Sequence, residues 1–344
     1  MQRSLKQLTS HLSGWQRDLR TYLVRRGIET VCGTSTFNPT TAAASDIPLV
    51  RAAVGMIWLR VLGAVGLKSI VATSGLGHKF VCHLGDLAEH PFYHRSAYRK
   101  ELELCAAWLR EGPDPVMYDV GANDGFFSSQ IAQLMGGQPI QIYAFEPVPT
   151  TFAKLVESVF RLGLEDCIHP IAAAVTDHQR LVHVSYSKEN SLYAQVTPHG
   201  LNPRAGDELA LVPAVTLDQL SSIAKARPTL LKIDVEGSEV AVLRGAGTLL
   251  SGRSRPAIAI EYSPLTLSEC GENFESLAER LEGYNLYYVD DHQGQKLPFG
   301  APIGGLEEID WTCNLFAVPA GDELSGRWSS ASRQARHRLG LLAP

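Results

Sequence analysis

The sequence predicts a doubly wound α/β fold. Three observations carry it: short apolar runs recur between residues 116 and 262, most of the gaps between them read as amphipathic helices, and the first run ends in a glycine-bearing loop. The runs are "VMYDV" (116–120), "IQIYAF" (140–145), "IHPIAAAV" (168–175), "TLLKIDV" (229–235) and "AIAIEY" (257–262), of the kind a parallel sheet buries on both faces. A helix precedes them: Leu102, Leu104, Cys105, Ala106, Trp108 and Leu109 form an apolar stripe that Gly112-Pro113 ends. "FFSSQIAQLM", "TTFAKLVESVF" and "SEVAVLRGAGTLL" then place apolar residues three and four apart, as helices do. After the fifth strand come the helix "ENFESLAERLEG" and two strands, "NLYYVD" and "CNLFAVP", with no helix between them. That ending predicts a hairpin, hence one antiparallel strand at the end of the sheet, while "LVHVSYS" (181–187) reads as an inserted strand.

Composition sets outer bounds. The 344 residues are 45% hydrophobic, enough for a real core, and the net charge of -5 argues against general binding of nucleic acid. The cysteines, Cys32, Cys82, Cys105, Cys167, Cys270 and Cys313, lie far apart with no C-x-x-C pair, which reads as reduced thiols and a cytoplasmic address. The basic N-terminus is followed by no signal-peptide core, and the apolar stretch from Ala52 to Leu67 is broken by Arg60 and too short to span a bilayer. Peripheral membrane contact is the weaker reading of that stretch. Residues 1–95 are expected to form a mostly helical extension, partly a linker in "GTSTFNPTTAAASD", and residues 326–344 a basic disordered tail.

The loop Gly121-Ala122-Asn123-Asp124-Gly125 falls at the end of the first strand, where open parallel sheets bind ligands. Its glycines would clear Cβ atoms from a ligand's path, and Asn123 tolerates a positive φ. A dinucleotide fingerprint needs glycines where this chain has Asn123 and Phe126, so a nicotinamide oxidoreductase is disfavoured. The spacing of Asp119, Gly121 and Gly125 suits a ligand with an amino-acid end and no pyrophosphate: Asp119 can answer an ammonium group and the loop amides a carboxylate. S-adenosylmethionine fits that description. Glu146 closes the second strand where a carboxylate can accept both ribose hydroxyls, a feature common to either cofactor. Asp177, after the third strand, is placed within reach of an adenine amino group or in a simple turn.

The stretch "LLKIDVEGSEVAVLRGA" (230–246) puts Lys232 and Asp234 on one face of a strand that otherwise reads as buried, and such charges must be paired. Asp234 and Glu236 then face the reactive end of the cofactor, with Glu261 on the same edge from the next strand. The competing reading makes Lys232 and Asp234 a register-fixing ion pair, and Glu236 and Glu239 charges at a helix N-terminus.

Taken together, "YDVGANDGFFS", "YAFEPVPTTFAKL", "AAAVTD", "VTLDQL", "LLKIDVEGSEVAVLRGA" and "RPAIAIE" resemble the successive blocks of the FkbM-type family of S-adenosylmethionine-dependent methyltransferases. The resemblance runs from about Arg95 to about Pro319. It implies a seven-stranded, Rossmann-like class I methyltransferase sheet with an antiparallel last strand, with cofactor binding at Asp119, Gly121, Gly125 and Glu146. It places Asp234 beside the transferred methyl group and favours a hydroxyl acceptor on a sugar or secondary metabolite. Asn123 stands where many class I enzymes have glycine. A catalytically silent binding module is the alternative from another class. No metal site is expected: Cys82, His83, His90 and His94 offer zinc-like spacing, but Pro91 spoils a shared helical face.

Overall fold

The computed structural model describes residues 66, 68–84, 98–187, 194–197, 207–224, 227–252, 254–291 and 295–341. The chain divides into two compact units, Met1–Ala97 and Tyr98–Pro344. Within the first, the described part is an antiparallel hairpin of β1 (Ser69–Thr73) and β2 (Lys79–His83). The expectation of a mostly helical extension therefore fails for these residues, whose β-branched and aromatic side chains favour pairing across a tight turn. The proposed linker, His90 and His94, and the apolar stretch before Leu67 apart from Gly66 lie outside the described residues.

The second unit runs α1 (Arg99–Arg110), β3 (Val116–Val120), α2 (Phe126–Leu134), β4 (Gln141–Phe145), α3 (Pro149–Leu162), β5 (Ile168–Ile171) and β6 (Ala174–Val175). It continues β7 (Arg180–Tyr186), β8 (Ala194–Thr197), β9 (Glu208–Val215), α4 (Leu217–Ala224), β10 (Leu230–Ile233), α5 (Glu239–Arg244), α6 (Gly247–Ser251) and β11 (Ala257–Tyr262). It ends α7 (Pro264–Glu269), α8 (Phe274–Arg280), β12 (Tyr284–Asp291), β13 (Pro302–Ile303), β14 (Cys313–Pro319) and α9 (Asp322–Arg338).

The main sheet has the order β13-β12-β14-β11-β10-β3-β4-β5. From β5 to β11 neighbouring strands are parallel, and β14 enters antiparallel between β11 and β12. This is the doubly wound class I arrangement, with two corrections. The antiparallel strand is inserted beside β11 instead of lying at the edge, and the two-residue β13 makes eight strands where seven are expected. Strands β10, β11 and β14 are buried almost throughout, as continuous apolar runs with a helix layer on each face must be. Chain reversal falls between β3 and β10, which puts the loops after both strands at one crevice.

The expected third strand divides. Ile168–Ile171 pairs with β4 as the outermost strand, an edge position that tolerates Pro170, and Ala174–Val175 crosses to a second sheet, β6-β9-β7-β8. "LVHVSYS" is thus a strand of that second sheet and not an insertion into the first.

The C-terminal segment is not a disordered tail. Helix α9 lays Trp328, Ala331 and Ala335 against the protein, with both alanines fully buried. The Trp328 ring stacks on Tyr287 at 3.9 Å between centroids and lies 5.7 Å from Phe316. Two of its arginines are occupied as well: Arg327 donates to the Trp108 carbonyl at 2.6 Å and covers the Trp108 ring, and Arg336 donates to the Phe299 carbonyl at 2.5 Å. An apolar stripe built of two alanines and one tryptophan carries little hydrophobic weight in a sequence, and the arginines mask it. Trp328→Ala is expected to cost about 3–5 kcal/mol in urea denaturation, the range for deleting a packed large aromatic. A loss below about 1 kcal/mol would mean that α9 does not share the core.

Candidate functional site

The loop after β3 is folded by its own backbone demands. Gly121 and Ala122 both donate to the Phe145 carbonyl, at 3.0 and 2.9 Å, which ties the loop to the end of β4. Asn123 takes the left-handed conformation at φ 51°, and Gly121 and Gly125 have φ of 86° and 83°. The space at the glycines is filled by protein, contrary to the expectation that a ligand needs it. A Cβ at Gly121 would lie 1.9 Å from the Asp234 carbonyl oxygen, and one at Gly125 would lie 2.6 Å from Leu155 Cδ1. The first glycine lets the loops after β3 and β10 touch, and the second lets α3 pack. Asp124 accepts from the Phe126 amide at 3.0 Å and starts α2.

Glu146, 5% exposed, closes β4 beside this loop. Its Oε2 accepts from the Asn123 amide at 3.0 Å and its Oε1 from the Val148 amide at 2.9 Å. Each oxygen keeps one acceptor position beyond these contacts. Asp119, almost completely buried, accepts from the Ser128 hydroxyl at 2.5 Å and stands opposite Lys232 in the β3–β10 register.

The predicted ion pair is present. Lys232 Nζ donates to Asp234 Oδ2 at 3.0 Å, and Glu101 Oε1 on α1 lies 3.9 Å away. Phe127 packs its ring against the same ammonium, 5.2 Å from its centroid. The chain then turns through Glu236, at φ 51°, and Gly237 into α5. Glu239 caps that turn with Oε1, accepting from the amides of Gly237 at 3.2 Å and Val235 at 3.4 Å. Asp234, Glu236 and Glu261 come together, each offering a carboxylate oxygen within 4.8 Å of the others.

Asp177, expected within reach of an adenine amino group or in a simple turn, lies apart from the main sheet. It follows β6, which has left the main sheet, and its carboxylate pairs with Arg180 at 3.2 Å and His178 at 3.0 Å. Three side chains absent from the predicted set lie beside these carboxylates and Lys232: Glu101, Asn314 and Gln195. Glu101 lies in an amphipathic helix beside Arg99, Lys100 and Glu103, where periodicity alone gives no hint of function. Asn314 pairs with Glu261 across β11 and β14, and Gln195 of β8 donates to the Glu236 carbonyl at 3.1 Å. A cavity of about 280 Å³ borders the turn, lined by Arg180, His183, Val196, Gly237, Cys270 and Glu272.

Residues 119–286 match the family model described as Methyltransferase FkbM domain. This segment is similar to an FkbM-type methyltransferase domain. The chain is similar to 31-O-demethyl-FK506 methyltransferase FkbM of Streptomyces tacrolimicus, 26% identical over 190 residues that cover 46% of this chain and 72% of the relative. Among solved structures it resembles methyltransferase FkbM from Methylobacillus flagellatus at 17% identity and a TM-score of 0.38, covering 65% of this chain and 52% of the other. It also resembles M. jannaschii TYW2 in complex with AdoMet at 12% identity and a TM-score of 0.37, covering 73% and 85%. The chain therefore spans about half the length of the Methylobacillus protein.

The second unit buries several acids. Burial pushes the Glu101 carboxyl up to about 7 despite Lys232, and Asp119 up to about 6 despite Lys232 and Ser128. Desolvation likewise raises Glu146 and Glu239 to about 7 against their backbone donors. Lys232 is destabilised as a cation by burial, yet Asp234, Glu101 and Asp119 outweigh that and raise its pKa. Each of these acids binds a proton more tightly folded than unfolded, so the stability it adds is full below about pH 4 and is lost as pH rises through 6 to 7. The melting temperature is expected to fall by several degrees between pH 5.5 and pH 8, measured by calorimetry in low-salt buffers. A melting temperature that is flat or rising over that window would contradict these environments.

Proposed function

We propose that the domain transfers a methyl group from S-adenosylmethionine to a hydroxyl of a sugar or secondary metabolite. The observation that carries this reading is Glu146: a carboxylate buried at the end of β4, clamped by amides on both sides, and still able to accept from two adjacent hydroxyls. A vicinal diol such as a ribose satisfies that geometry and few other groups do. The loop 119–125 borders the same place, so Asp119, Gly121, Asn123 and Gly125 are the proposed cofactor contacts. Asp177, already paired with Arg180, is left out of the set.

Bound S-adenosylmethionine supplies a methyl group activated by its sulfonium. The chain's own part is to align the acceptor and take up its proton. Asp234 is suited to that, since Lys232 fixes Oδ2 and the second oxygen makes no hydrogen bond among the described residues. Glu236 and Glu261 stand next to it as the alternative bases. The cavity beside Gly237, walled by Arg180, His183 and Glu272, is the proposed entry for a polar acceptor. The name of the Streptomyces tacrolimicus relative, an O-methyltransferase of a small molecule, supports oxygen as the acceptor atom. Cys82, Cys105, Cys167, Cys270 and Cys313 are free thiols, which supports a reducing, cytoplasmic setting.

The test is calorimetric titration with S-adenosylhomocysteine. Wild-type protein is expected to bind at micromolar affinity, and Glu146→Ala to lose about 1.5–3 kcal/mol, the range for hydrogen bonds to a charged group. Equal affinities in a folded variant would remove Glu146 from the ribose role and take away the main support for this reading.

A further inference from the structure

We propose that Asp234, Glu236 and Glu261 form a binding site for a hard divalent cation such as Mg²⁺ or Mn²⁺, with Asn314 as a fourth oxygen donor. The carboxylate cluster sets the geometry: one oxygen from each acid lies within 4.8 Å of the others, close enough to converge on a single ion. Acidic groups near a surface often gather without a metal, so the cluster alone decides nothing. A second observation comes from a different strand. Asn314 is 4% exposed, and its buried Oδ1 accepts no hydrogen bond. It sits directly across from Glu261 in the β11–β14 ladder, so both side chains leave the same face of the sheet about 5 Å apart. An amide oxygen with no donor costs desolvation energy unless something positive meets it.

A third observation concerns charge. Glu101 is 1% exposed, and neither of its oxygens accepts a hydrogen bond. With Asp119 it flanks Lys232, so that ammonium is shared among Glu101, Asp119 and Asp234. Three carboxylates sharing one ammonium leave net negative charge, which favours a further cation nearby. Oxygen-only donors select a hard ion over zinc or copper. Lys232 occupies Asp234 Oδ2 and leaves the other oxygen for the metal. In the loop after β10, the left-handed turn at Glu236 brings its carboxylate back to the same cluster. The role of the ion rests on the methyl-transfer reading: it would hold the acceptor hydroxyl beside Asp234 and lower its pKa. The site itself does not rest on that reading.

Chelator-treated full-length protein titrated with Mn²⁺, followed by electron paramagnetic resonance of the free ion, tests the site, with S-adenosylhomocysteine titrated in parallel by calorimetry. The expected result is one Mn²⁺ per chain at roughly 1–100 µM, displaced by excess Mg²⁺. Glu261→Gln is expected to weaken it at least 10-fold and Asn314→Ala several-fold, with circular dichroism confirming the fold of each. Absence of saturable Mn²⁺ binding to the wild type, or affinity unchanged in both folded variants, overturns the site. If Mn²⁺ fails while S-adenosylhomocysteine binds, the cation site alone is wrong. If Mn²⁺ binds and weakens in the variants while S-adenosylhomocysteine is silent, the site stands and the cofactor reading falls.

Discussion

Lys232 keeps an ammonium group in a place that water barely reaches, and the carboxyl edge of the sheet is organised around it. Only 2% of the residue is exposed, so its charge is sustained by what surrounds it: Asp234 two residues further along the chain, Asp119 across the β3–β10 pairing, and Glu101 from the helix laid over that face. Those contacts join three separate elements, α1, β3 and β10, through one side chain. Burying a charged group is costly, and removing any partner leaves the cost without its offset.

A second constraint locks the loops to that centre. The Asp234 carbonyl occupies the space that a side chain at residue 121 would need, so the loops after β3 and β10 can meet only because residue 121 is glycine. Glu146 and Glu239 then pin each loop from outside by accepting backbone amides. The loop that borders the proposed cofactor position and the carboxylates proposed for the acceptor are thus set by the same few contacts. A side chain introduced at Gly121 would disturb both together.

Much of this could be read in the sequence, for identifiable reasons. Continuous apolar runs such as "AIAIEY" and "VMYDV" can only be strands covered on both faces, and the structure has strands over the same residues, 257–262 and 116–120. Asp234, Glu236 and Glu261 converge because each falls at or just past the carboxyl end of its strand, a position that spacing alone reveals. What spacing hides is contact between distant segments. Glu101 looks like an exposed acid of an amphipathic helix until another layer covers it, and Asn314 acquires meaning only when β14 inserts beside β11. Helix α9 is hidden in the same way, its seam being small residues beside arginines. The bare backbone at Gly121 is ambiguous in a sequence, since a ligand and a neighbouring carbonyl call for the same glycine.

The most direct test of this account is the stability of Lys232→Met, measured by urea denaturation at pH 8 and at pH 5. If the ammonium holds the buried acids together, the variant loses about 3–5 kcal/mol at pH 8, as a broken buried ion pair does. It should lose markedly less at pH 5, where Glu101 and Asp119, shifted upward to about 7 and about 6 by burial, carry protons and no longer need a counter-charge. A variant as stable as the wild type at pH 8, or one equally weakened at both pH values, would contradict it.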